Sequence, residues 1–362
     1  DHQLETGRTS FEKEAFLGEE SVFRIADIAC PPGQRARGRI VAGWLDDGSP
    51  VEVPLLVLHG MRPGPVFWLG AALHGIEIVG AEIIRRVVWE DVDPTDLAGT
   101  IVGAPIQNPL AFLDHRYNTP RDGLNINRFF PGNPKGSISE QLAYALYTEG
   151  IAKSDIVVDI HANTAPAHPF AILRTGSDPV YARARTLASA YGLTILESAP
   201  KPLSSGEKHL AGLLMDAALH DGKPAVTLEY ECWTIDDRWV QAGTVGTLNA
   251  LKRFEMLPGE EQPVPFVTKI AESLAVQVAL RASAGGVMHH LTPPGTRVAV
   301  GEPVARIVDL YGDERELFRS PVDGYVMCFP RYLNQTAATG DEVVYIAPLQ
   351  SGQTVARPGV TA

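Results

Sequence analysis

Apolar residues along the chain alternate between strand-like runs and helix-like spacing. Between residues 37 and 73, short apolar runs are separated by turns such as Asp47-Gly48, which is typical of strands joined by hairpins. Residues 78–90 instead repeat their apolar positions at helical spacing, so this stretch is predicted to be a helix. The alternation continues as far as residue 257.

The later elements of this alternation follow the same two patterns. Strands are predicted at residues 100–106, 155–161 and 224–230, and helices at 137–150, 178–192, 207–221 and 242–257. The first of these helices opens with Ser137 and Glu140 in the spacing of a capping box. Strands that alternate with helices predict an α/β domain, in which helices flank a mostly parallel or mixed sheet.

The composition and the apolar pattern of the sequence change after residue 258. The stretch PGEEQPVPF is rich in proline and acidic residues, as a linker would be, and the segments beyond it are short-stranded and turn-rich. This pattern predicts a second, small all-β domain. We therefore divide the chain into an α/β domain at 1–260, with a polar segment at 1–20, a β-rich domain at 261–350 and a loose tail at 351–362.

The charge of the chain narrows the classes of partner. Its 362 residues include 43 acidic and 31 basic side chains, for a net charge of -12, and such a surface repels phosphate backbones and anionic membranes. No apolar run approaches the ~20 residues of a spanning helix. We therefore expect neither a nucleic-acid nor a membrane partner.

The cysteines and the first residues of the chain indicate the cellular compartment of the protein. Cys30, Cys232 and Cys328 lie far apart without a CxxC spacing, which argues against a disulfide framework and against a thiolate zinc site. The first residues lack the apolar core of a signal peptide. Both features suit a cytoplasmic protein.

Four of the predicted strands end in polar side chains. The run FWLGAAL ends at His74, TIVGAPI at Gln107, DIVVDI at His161 and PAVTL at Glu229. In an open parallel sheet, functional sites gather at the carboxyl ends of the strands. If these strands are neighbours, the four polar ends form one constellation.

A first interpretation of this constellation is a metal site. Zinc in hydrolases commonly has three ligands from His and carboxylate groups, with an open position for solvent. His74 and Glu77 can reach one ion and His161 can complete the set, while Asp159 can orient the His161 ring. Alternatively, His74 caps a strand, Glu77 opens a helix whose dipole favours it, and Asp159 is only a hydrogen-bond acceptor at a strand end.

Glu229 is a candidate for a separate role. A carboxylate that ends an apolar strand is costly without a partner, and near a zinc ion it would serve as a general base. The alternative is a salt bridge to an arginine. Glu231 faces the same side two residues further on, so the strand pattern alone does not decide between the two carboxylates.

The loop RYNTPRDGLNINRFFPG, residues 116–132, is a further candidate. Loops of this length are usually functional or disordered, and the apolar pair Phe129-Phe130 indicates that this one is anchored. Arg128 next to Asn127 offers a clamp for a carboxylate. The alternative is a solvated basic loop.

Five segments of the chain resemble a known protein family. They are HGIE (74–77), NPLAF (108–112), DGLNINRFFPG (122–132), DIHANT (159–164) and PAVTLEYE (224–231). In this order they are similar to the succinylglutamate desuccinylase/aspartoacylase family, a branch of the zinc-carboxypeptidase-like fold. The β-rich tail also fits the second domain of this family. It resembles a barrel-sandwich of the biotinyl or lipoyl type without the carrier lysine, so we interpret it as a structural lid.

The resemblance implies that the α/β part is a zinc hydrolase domain with one Zn²⁺ per chain. The implied metal ligands are His74, Glu77 and His161. The implied general base is Glu229, because the Thr-x-Glu context of this residue matches that of the base in the family.

The same resemblance implies which residues hold the substrate. Asn127 and Arg128 match the pair that binds the substrate carboxylate, and Asn163 resembles a polar residue of the pocket. In the family, an arginine upstream in the same loop polarises the scissile carbonyl. Arg116 and Arg121 compete for this role; we prefer Arg121 and assign Arg116 to substrate binding.

The chain also departs from the family pattern. Asn125 stands where many relatives have aspartate, and Glu231 stands where a glycine often follows the base. An extra carboxylate at Glu231 could select a substrate that carries an amine. The tail shows no counterpart of the tyrosine that it contributes in aspartoacylase.

The predicted function is removal of an acyl group from an N-acyl amino acid, a small-molecule substrate, by a zinc-dependent amidohydrolase. Two alternatives remain: a zinc metallocarboxypeptidase that acts on peptides, and a non-catalytic zinc-binding regulatory protein. The sequence leaves the acyl group, the amino acid, the metal used in the cell and the formation of a homo-oligomer open.

Overall fold

A computed structural model describes most of the chain. The described residues are 22–199, 212–231, 234–329 and 335–350. Four sequence predictions lie outside them: the polar segment at 1–20, the tail at 351–362, Cys232 and the first part of the helix at 207–221. Both predicted architectures, α/β and all-β, occur within the described residues.

The α/β part is built on a large mixed sheet. In chain order, the strands of the α/β part are β1 (Phe23–Ile25), β2 (Ile28–Cys30), β3 (Gln34–Trp44), β4 (Pro50–His59), β5 (Arg62–Ala71), β6 (Ala98–Ala104), β7 (Ile156–Asn163), β8 (Phe170–Arg174), β9 (Thr194–Ser198), β10 (Ala225–Glu231) and β11 (Leu274–Ala275). β1 and β2 form a hairpin, and the others form a nine-stranded sheet in the order β11-β9-β8-β10-β7-β5-β6-β4-β3. Strands β10, β7, β5 and β6 run parallel, so their carboxyl ends lie along one edge.

Helices cover both faces of this sheet. They are α1 (Val79–Arg86), α2 (Pro109–Leu113), α3 (Ile138–Glu149), α4 (Pro179–Ala190), α5 (Leu214–His220) and α6 (Asp237–Arg253), with a π-helical turn at Val87–Asp91 and a 3-10 turn at Ile151–Lys153. α1 and α4 both pack on α6, whereas the Tyr147 hydroxyl of α3 donates to the Ala217 carbonyl of α5 on the opposite face. Within the described residues, no helix has the length and apolarity that crossing a membrane requires.

The apolar composition of the central strands explains their position. Phe67, Trp68 and Leu69 are consecutive residues of β5, and all three are fully buried. A strand covered by helices on both faces requires such a run. Each of these side chains contributes about 1.5–3 kcal/mol when it leaves water, so the sheet is a stable frame for the polar residues at its edge.

The starts of two helices show how well local sequence signals predict where a helix begins. Helix α3 begins after Ser137, and the reciprocal bonds between Ser137 and Glu140 confirm the predicted capping box. Helix α6 begins at Asp237, earlier than the predicted start at residue 242. The Asp236 carboxylate accepts the Arg238 N–H at 2.9 Å and caps the helix, and the sequence prediction overlooked this cap.

The β-rich part is a sandwich of two antiparallel sheets. Its strands are β12 (Val278–Arg281), β13 (Gly286–His290), β14 (Arg297–Val298), β15 (Pro303–Val308), β16 (Glu314–Arg319), β17 (Gly324–Cys328), β18 (Thr336–Ala337) and β19 (Glu342–Pro348). One four-stranded sheet has the order β12-β19-β17-β14 and the other β16-β15-β13-β18. Val304, Ile307, Val326 and Val344 belong to the separate core between them. The all-β architecture predicted for the later part of the chain is confirmed.

The two parts of the chain meet along the segment that follows β7. The His168 N–H donates to the Met327 carbonyl at 2.8 Å, and the Thr164 hydroxyl donates to the Phe329 carbonyl at 2.6 Å. The end of β17 therefore lies against the residues that leave the central strand β7.

His168 in this interface predicts that stability depends on pH. Burial lowers the pKa of its imidazole to about 4, and its Nε2 lies 2.8 Å from the Thr194 hydroxyl, which accepts the Ile270 N–H at 2.9 Å. An unfolded histidine takes up its proton near pH 6.5. The contribution is therefore complete above pH 6.5 and is lost as the pH falls towards 4, so that about 2 kcal/mol of unfolding free energy disappears by pH 5.

The measurement is urea unfolding of the wild type and of His168→Gln at pH 7.5 and pH 5. Glutamine offers an amide oxygen to Thr194 but does not titrate, so the difference between the two chains separates the imidazole from the carboxylates. An equal loss of stability in both chains would contradict the prediction.

Candidate active site

Side chains from neighbouring strands converge at the carboxyl edge of the sheet. His74 follows β5, His161 lies in β7 and Glu229 lies in β10, and these three strands are adjacent. Glu229 is in register with His161. Gln107 follows β6, the next strand on the other side of β5. The structure thus brings together the four polar strand ends that the sequence singled out.

The chain turns sharply after β5, and this turn aims His74 at the edge of the sheet. Ala72 has a φ of 48°, in the left-handed region that is unfavourable for alanine. The Ala71 and Ala72 carbonyls accept the N–H groups of Gln107 and Asn108 at 2.9 and 3.2 Å. These two bonds hold the turn in its strained conformation.

His74, Glu77 and His161 form a buried cluster. The His74 Nδ1 lies 3.0 Å from Glu77 Oε1, and the His161 Nδ1 lies 2.8 Å from Glu77 Oε2. The two Nδ1 atoms are 3.2 Å apart. Each residue therefore offers one ligand atom that lies within 4.8 Å of those of the other two.

Hydrogen bonds on the far side of each ring orient the two imidazoles. The Asp159 carboxylate lies 2.7 Å from His161 Nε2. The Asn125 Oδ1, which also accepts the Asn127 N–H, lies 3.1 Å from His74 Nε2. Because both partners are acceptors, each Nε2 carries a proton and donates it. Each Nδ1 is thereby directed into the cluster and is the nitrogen that would face a metal ion.

The cluster favours positive charge. Burial opposes a charge on His161, but Asp159 and Glu77 raise the pKa of its imidazole well above the usual value. Burial also opposes ionisation of Glu77, yet the two imidazoles lower the pKa of this carboxyl group. An anionic carboxylate between two imidazoles thus creates a buried position in which a cation is stabilised.

The donor set and its spacing fit zinc. Two imidazole nitrogens and one carboxylate oxygen are a known catalytic set, and tetrahedral ligands at about 2.0–2.1 Å from the metal lie roughly 3.3 Å from one another. The 3.2 Å between the two Nδ1 atoms is close to that spacing, and each Nδ1 lies beside one oxygen of Glu77, at 3.0 Å for His74 and 2.8 Å for His161. The cluster is therefore compatible with the predicted Zn²⁺.

Glu229 lies beside the cluster and has a polar partner. The Asn163 Nδ2 donates to Glu229 Oε2 at 2.9 Å, and the Cys328 thiol of the β-rich part donates to Asn163 Oδ1 at 3.2 Å. Burial raises the pKa of Glu229 to about 8, although the charge of His161 opposes this shift. The alternative of a salt bridge to an arginine is not found among the described residues. A carboxylate that titrates near neutral pH suits a general base.

Glu231, the rival carboxylate, is engaged elsewhere. Trp239 Nε1 donates to its Oε2 at 3.2 Å, and the Ala167 N–H donates to its Oε1 at 3.4 Å. Of the two carboxylates, Glu229 is the one directed to the cluster.

The loop between α2 and α3 brings three residues to the site. The Tyr117 ring is stacked on His74, with ring centroids 3.6 Å apart and 16° between the planes. The Asn127 Oδ1 accepts the Leu214 N–H at 2.9 Å, which leaves the Asn127 Nδ2 as a donor. Arg128 Nη1 donates to the Asn127 carbonyl at 2.6 Å. Burial of the phenol group and then the charge of Glu77 raise the pKa of Tyr117 well above its usual value, whereas the charge of Arg128 opposes this shift.

Arg116 and Arg121, the two candidates for polarising the scissile carbonyl of the substrate, lie in different surroundings. Arg121 forms an exposed ion pair with Asp46 in the turn between β3 and β4, so the structure does not bring its guanidinium to the cluster. Arg116 is also exposed, but it immediately precedes Tyr117, which contacts His74. The chain at Arg116 is therefore adjacent to the cluster.

Sequence reasoning missed several supporting contacts. Asn125 was noted only as a departure from the family pattern, yet it is the acceptor that orients His74. Gln107 donates from Nε2 to Asp159 Oδ1 at 2.9 Å, and its place at a strand end was the available signal. Cys328 has no local signal, because its partner Asn163 is 165 residues away in the chain.

Comparison with known proteins agrees with this architecture. Residues 63–232 match the model of the succinylglutamate desuccinylase/aspartoacylase catalytic domain. An N-alpha-acetyl-L-2,4-diaminobutyric acid deacetylase from Halomonas elongata is 27% identical over 314 residues, which are 82% of this chain and 86% of the relative. The product-bound Ectoine utilization protein EutE (DoeB) from Ruegeria pomeroyi has a TM-score of 0.75 at 23% identity, covering 87% of this chain and 95% of that one.

A further solved structure shares the same two-part architecture. A succinylglutamate desuccinylase/aspartoacylase from Rhodobacter sphaeroides has a TM-score of 0.74 at 22% identity, covering 91% of this chain and 99% of that one. The fold is thus that of the desuccinylase and aspartoacylase proteins. The match over residues 63–232 agrees with the family resemblance that the sequence predicts.

The glycine after His74 predicts a sensitive position. A Cβ on Gly75 would lie 2.1 Å from the Ala111 carbonyl carbon and 2.2 Å from the Phe112 nitrogen, so α2 passes directly over this residue. Gly75→Ala must push away the helix that leads into the Tyr117 loop. We expect a loss of about 1–3 kcal/mol in the free energy of unfolding and weaker zinc binding, measured by denaturant titration and by competition with a chelator.

A matched glycine gives the control. A Cβ on Gly285 in the β-rich part would meet its nearest atom, the Ala337 carbonyl oxygen, at an ordinary 3.5 Å. Gly285→Ala should therefore leave stability and zinc binding almost unchanged. The tight packing at Gly75 would be refuted if both variants behaved like the wild type.

Proposed function

We propose that the chain is a zinc-dependent amidohydrolase that removes the acyl group from an N-acyl amino acid. The observation that carries this proposal is the convergence of the His74 and His161 Nδ1 atoms with the Glu77 carboxylate, beside a second carboxylate, Glu229. A Zn²⁺ held by His74, Glu77 and His161 would supply Lewis acidity, which acidifies water and polarises a carbonyl.

Glu229 is the proton carrier in this proposal. It accepts a proton from the attacking water as the new C–O bond forms at the acyl carbon. It then passes this proton to the amine nitrogen as the C–N bond breaks. Asn163 holds one oxygen of Glu229 at 2.9 Å, so the other oxygen is available to the water.

Three residues of the loop are proposed to bind the substrate. Arg128 supplies a positive charge and Asn127 an Nδ2 donor, which together hold the carboxylate of the amino acid. Arg116 stabilises the negative charge that develops on the carbonyl oxygen. We prefer Arg116 to Arg121 for this role because Arg121 is paired with Asp46 on the surface.

Two observations favour a small acyl amino acid over a peptide. The relative from Halomonas elongata is named as a deacetylase of an acetylated diamino acid. The β-rich part also contacts the site through Cys328 and the Phe329 carbonyl, which limits the room for an extended chain. Glu231, in contrast, does not support selection of an amine, since Trp239 and Ala167 occupy its carboxylate.

The central test is hydrolysis by the zinc-loaded protein of a panel of N-acetyl and N-succinyl amino acids, compared with short peptides. We expect turnover of acyl amino acids and little cleavage of peptides. Glu229→Gln should keep stoichiometric zinc and lose about 10²–10⁴-fold in kcat, because it removes the base and retains the ligands. His161→Ala should lose both zinc and hydrolysis.

Glu231→Gln is the matched control, two residues along the same strand, and it should keep most of the activity. Preferential cleavage of peptides would favour the metallocarboxypeptidase. Stoichiometric zinc without turnover of any substrate would favour the regulatory protein. Full activity in Glu229→Gln would rule out this carboxylate as the base.

The two arginines give a separate prediction. Arg116→Ala should lower kcat/KM by about 10²–10³-fold, the usual effect of removing a donor to the oxyanion. Arg121→Ala should change it by no more than about twofold, because an exposed ion pair such as that with Asp46 contributes little. Steady-state kinetics of the two variants on one acyl amino acid decides between the two arginines. A larger loss of kcat/KM in Arg121→Ala than in Arg116→Ala would restore the sequence-based preference for Arg121.

A further inference from the structure

The ring of Tyr117 covers His74 on its solvent side. The two rings are nearly parallel, with centroids 3.6 Å apart and 16° between their planes. Tyr117 is 42% exposed, whereas His74 is only 4% exposed. The tyrosine ring therefore stands between this imidazole and water.

The other sides of the imidazole are already occupied. Its Nδ1 faces Glu77 at 3.0 Å and its Nε2 faces Asn125 at 3.1 Å. Its edge meets the His161 ring, with centroids 4.9 Å apart at 61°. Tyr117 is the most exposed of these neighbours. The stack is thus the contact that must open before the imidazole can rotate out of the cluster.

The backbone that carries Tyr117 is strained and held in place. His115 has a φ of 50°, in the left-handed region that costs a non-glycine residue about 1–2 kcal/mol. The next N–H, that of Arg116, donates to the Ala111 carbonyl at 2.9 Å and fixes the turn to the end of α2. Such strain persists only where neighbouring bonds enforce it, and its result here is the placement of the ring on the cluster.

We infer that Tyr117 is a positioning residue of the metal site, whose ring restrains the His74 imidazole and slows the loss of the bound ion. The inference rests on the proposed zinc site and concerns retention of the metal rather than the chemical step. An ion held by three side chains leaves when one ligand turns away and the others follow. A ligand that cannot rotate re-forms its bond before the others release the ion.

The face of the ring makes this contact, so the hydroxyl is not needed for it. Tyr117→Phe keeps the stack and leaves the charge of the site unchanged. Tyr117→Ala removes the ring altogether, and Tyr117→Leu replaces it with apolar bulk that cannot stack. These three variants separate the stacking from the hydroxyl and from simple burial.

The test is the rate at which zinc passes from the loaded protein to an excess of a chromogenic chelator. A stacked aromatic pair contributes about 0.5–1.5 kcal/mol, so we expect Tyr117→Ala and Tyr117→Leu to release zinc about three- to tenfold faster than the wild type. Tyr117→Phe should stay within about twofold of the wild type. Tyr144 on α3 is 37% exposed and outside the cluster, and Tyr144→Ala should release zinc at the wild-type rate.

Release at the wild-type rate from both Tyr117→Ala and Tyr117→Leu overturns this inference and leaves the proposed function standing. Zinc release from Tyr117→Phe that is as fast as from Tyr117→Ala would also overturn the inference and leave the proposed function standing. The metal-free Tyr117→Leu should keep its free energy of unfolding within about 1 kcal/mol of the wild type, and a larger loss marks a purely structural role and overturns the inference. A wild type that binds no zinc overturns both this inference and the proposed function.

Discussion

The buried carboxylate of Glu77 is the constraint on which the rest of the site depends. An ionised carboxylate is costly to bury unless donors or a cation compensate it. Glu77 meets this requirement by lying 3.0 and 2.8 Å from the Nδ1 atoms of His74 and His161. The imidazoles can face it because Asn125 and Asp159 accept hydrogen bonds at their opposite nitrogens. The strained turn after β5 and the close approach of α2 follow from the need to bring His74 to this carboxylate.

Three distant parts of the chain share the support of this site. The parallel strands supply the cluster and Glu229, the loop after α2 supplies Asn125 and Tyr117, and the β-rich part supplies Cys328. The loop acts on His74, whereas the β-rich part acts on Glu229 through Asn163. The sheet therefore carries both the groups proposed to hold the metal and the group proposed to move the proton, while the loop and the β-rich part each add a separate support.

The accuracy of sequence reasoning differed between backbone and side chains. Uninterrupted apolar runs identified the central strands, and the alternation with helices implied that they run parallel, which brings His74, His161 and Glu229 to one edge. A two-residue local pattern located the cap of α3, while a single overlooked aspartate displaced the start of α6. The sequence left Arg116 and Arg121 as rivals for the carbonyl with a preference for Arg121, and the structure adds that the Arg121 guanidinium pairs with Asp46.

The sequence by itself determined the two-part architecture, the strand ends and the residue types at those ends, because periodicity, turns and caps are properties of neighbouring residues. Only the tertiary structure decided that Asn125 is the acceptor for His74, that Trp239 occupies Glu231, and that a thiol of the β-rich part fixes Asn163. Such contacts join residues as far apart as 51 and 165 positions in the chain. Their partners are selected by the packing of whole elements, and no local pattern of side chains records that packing.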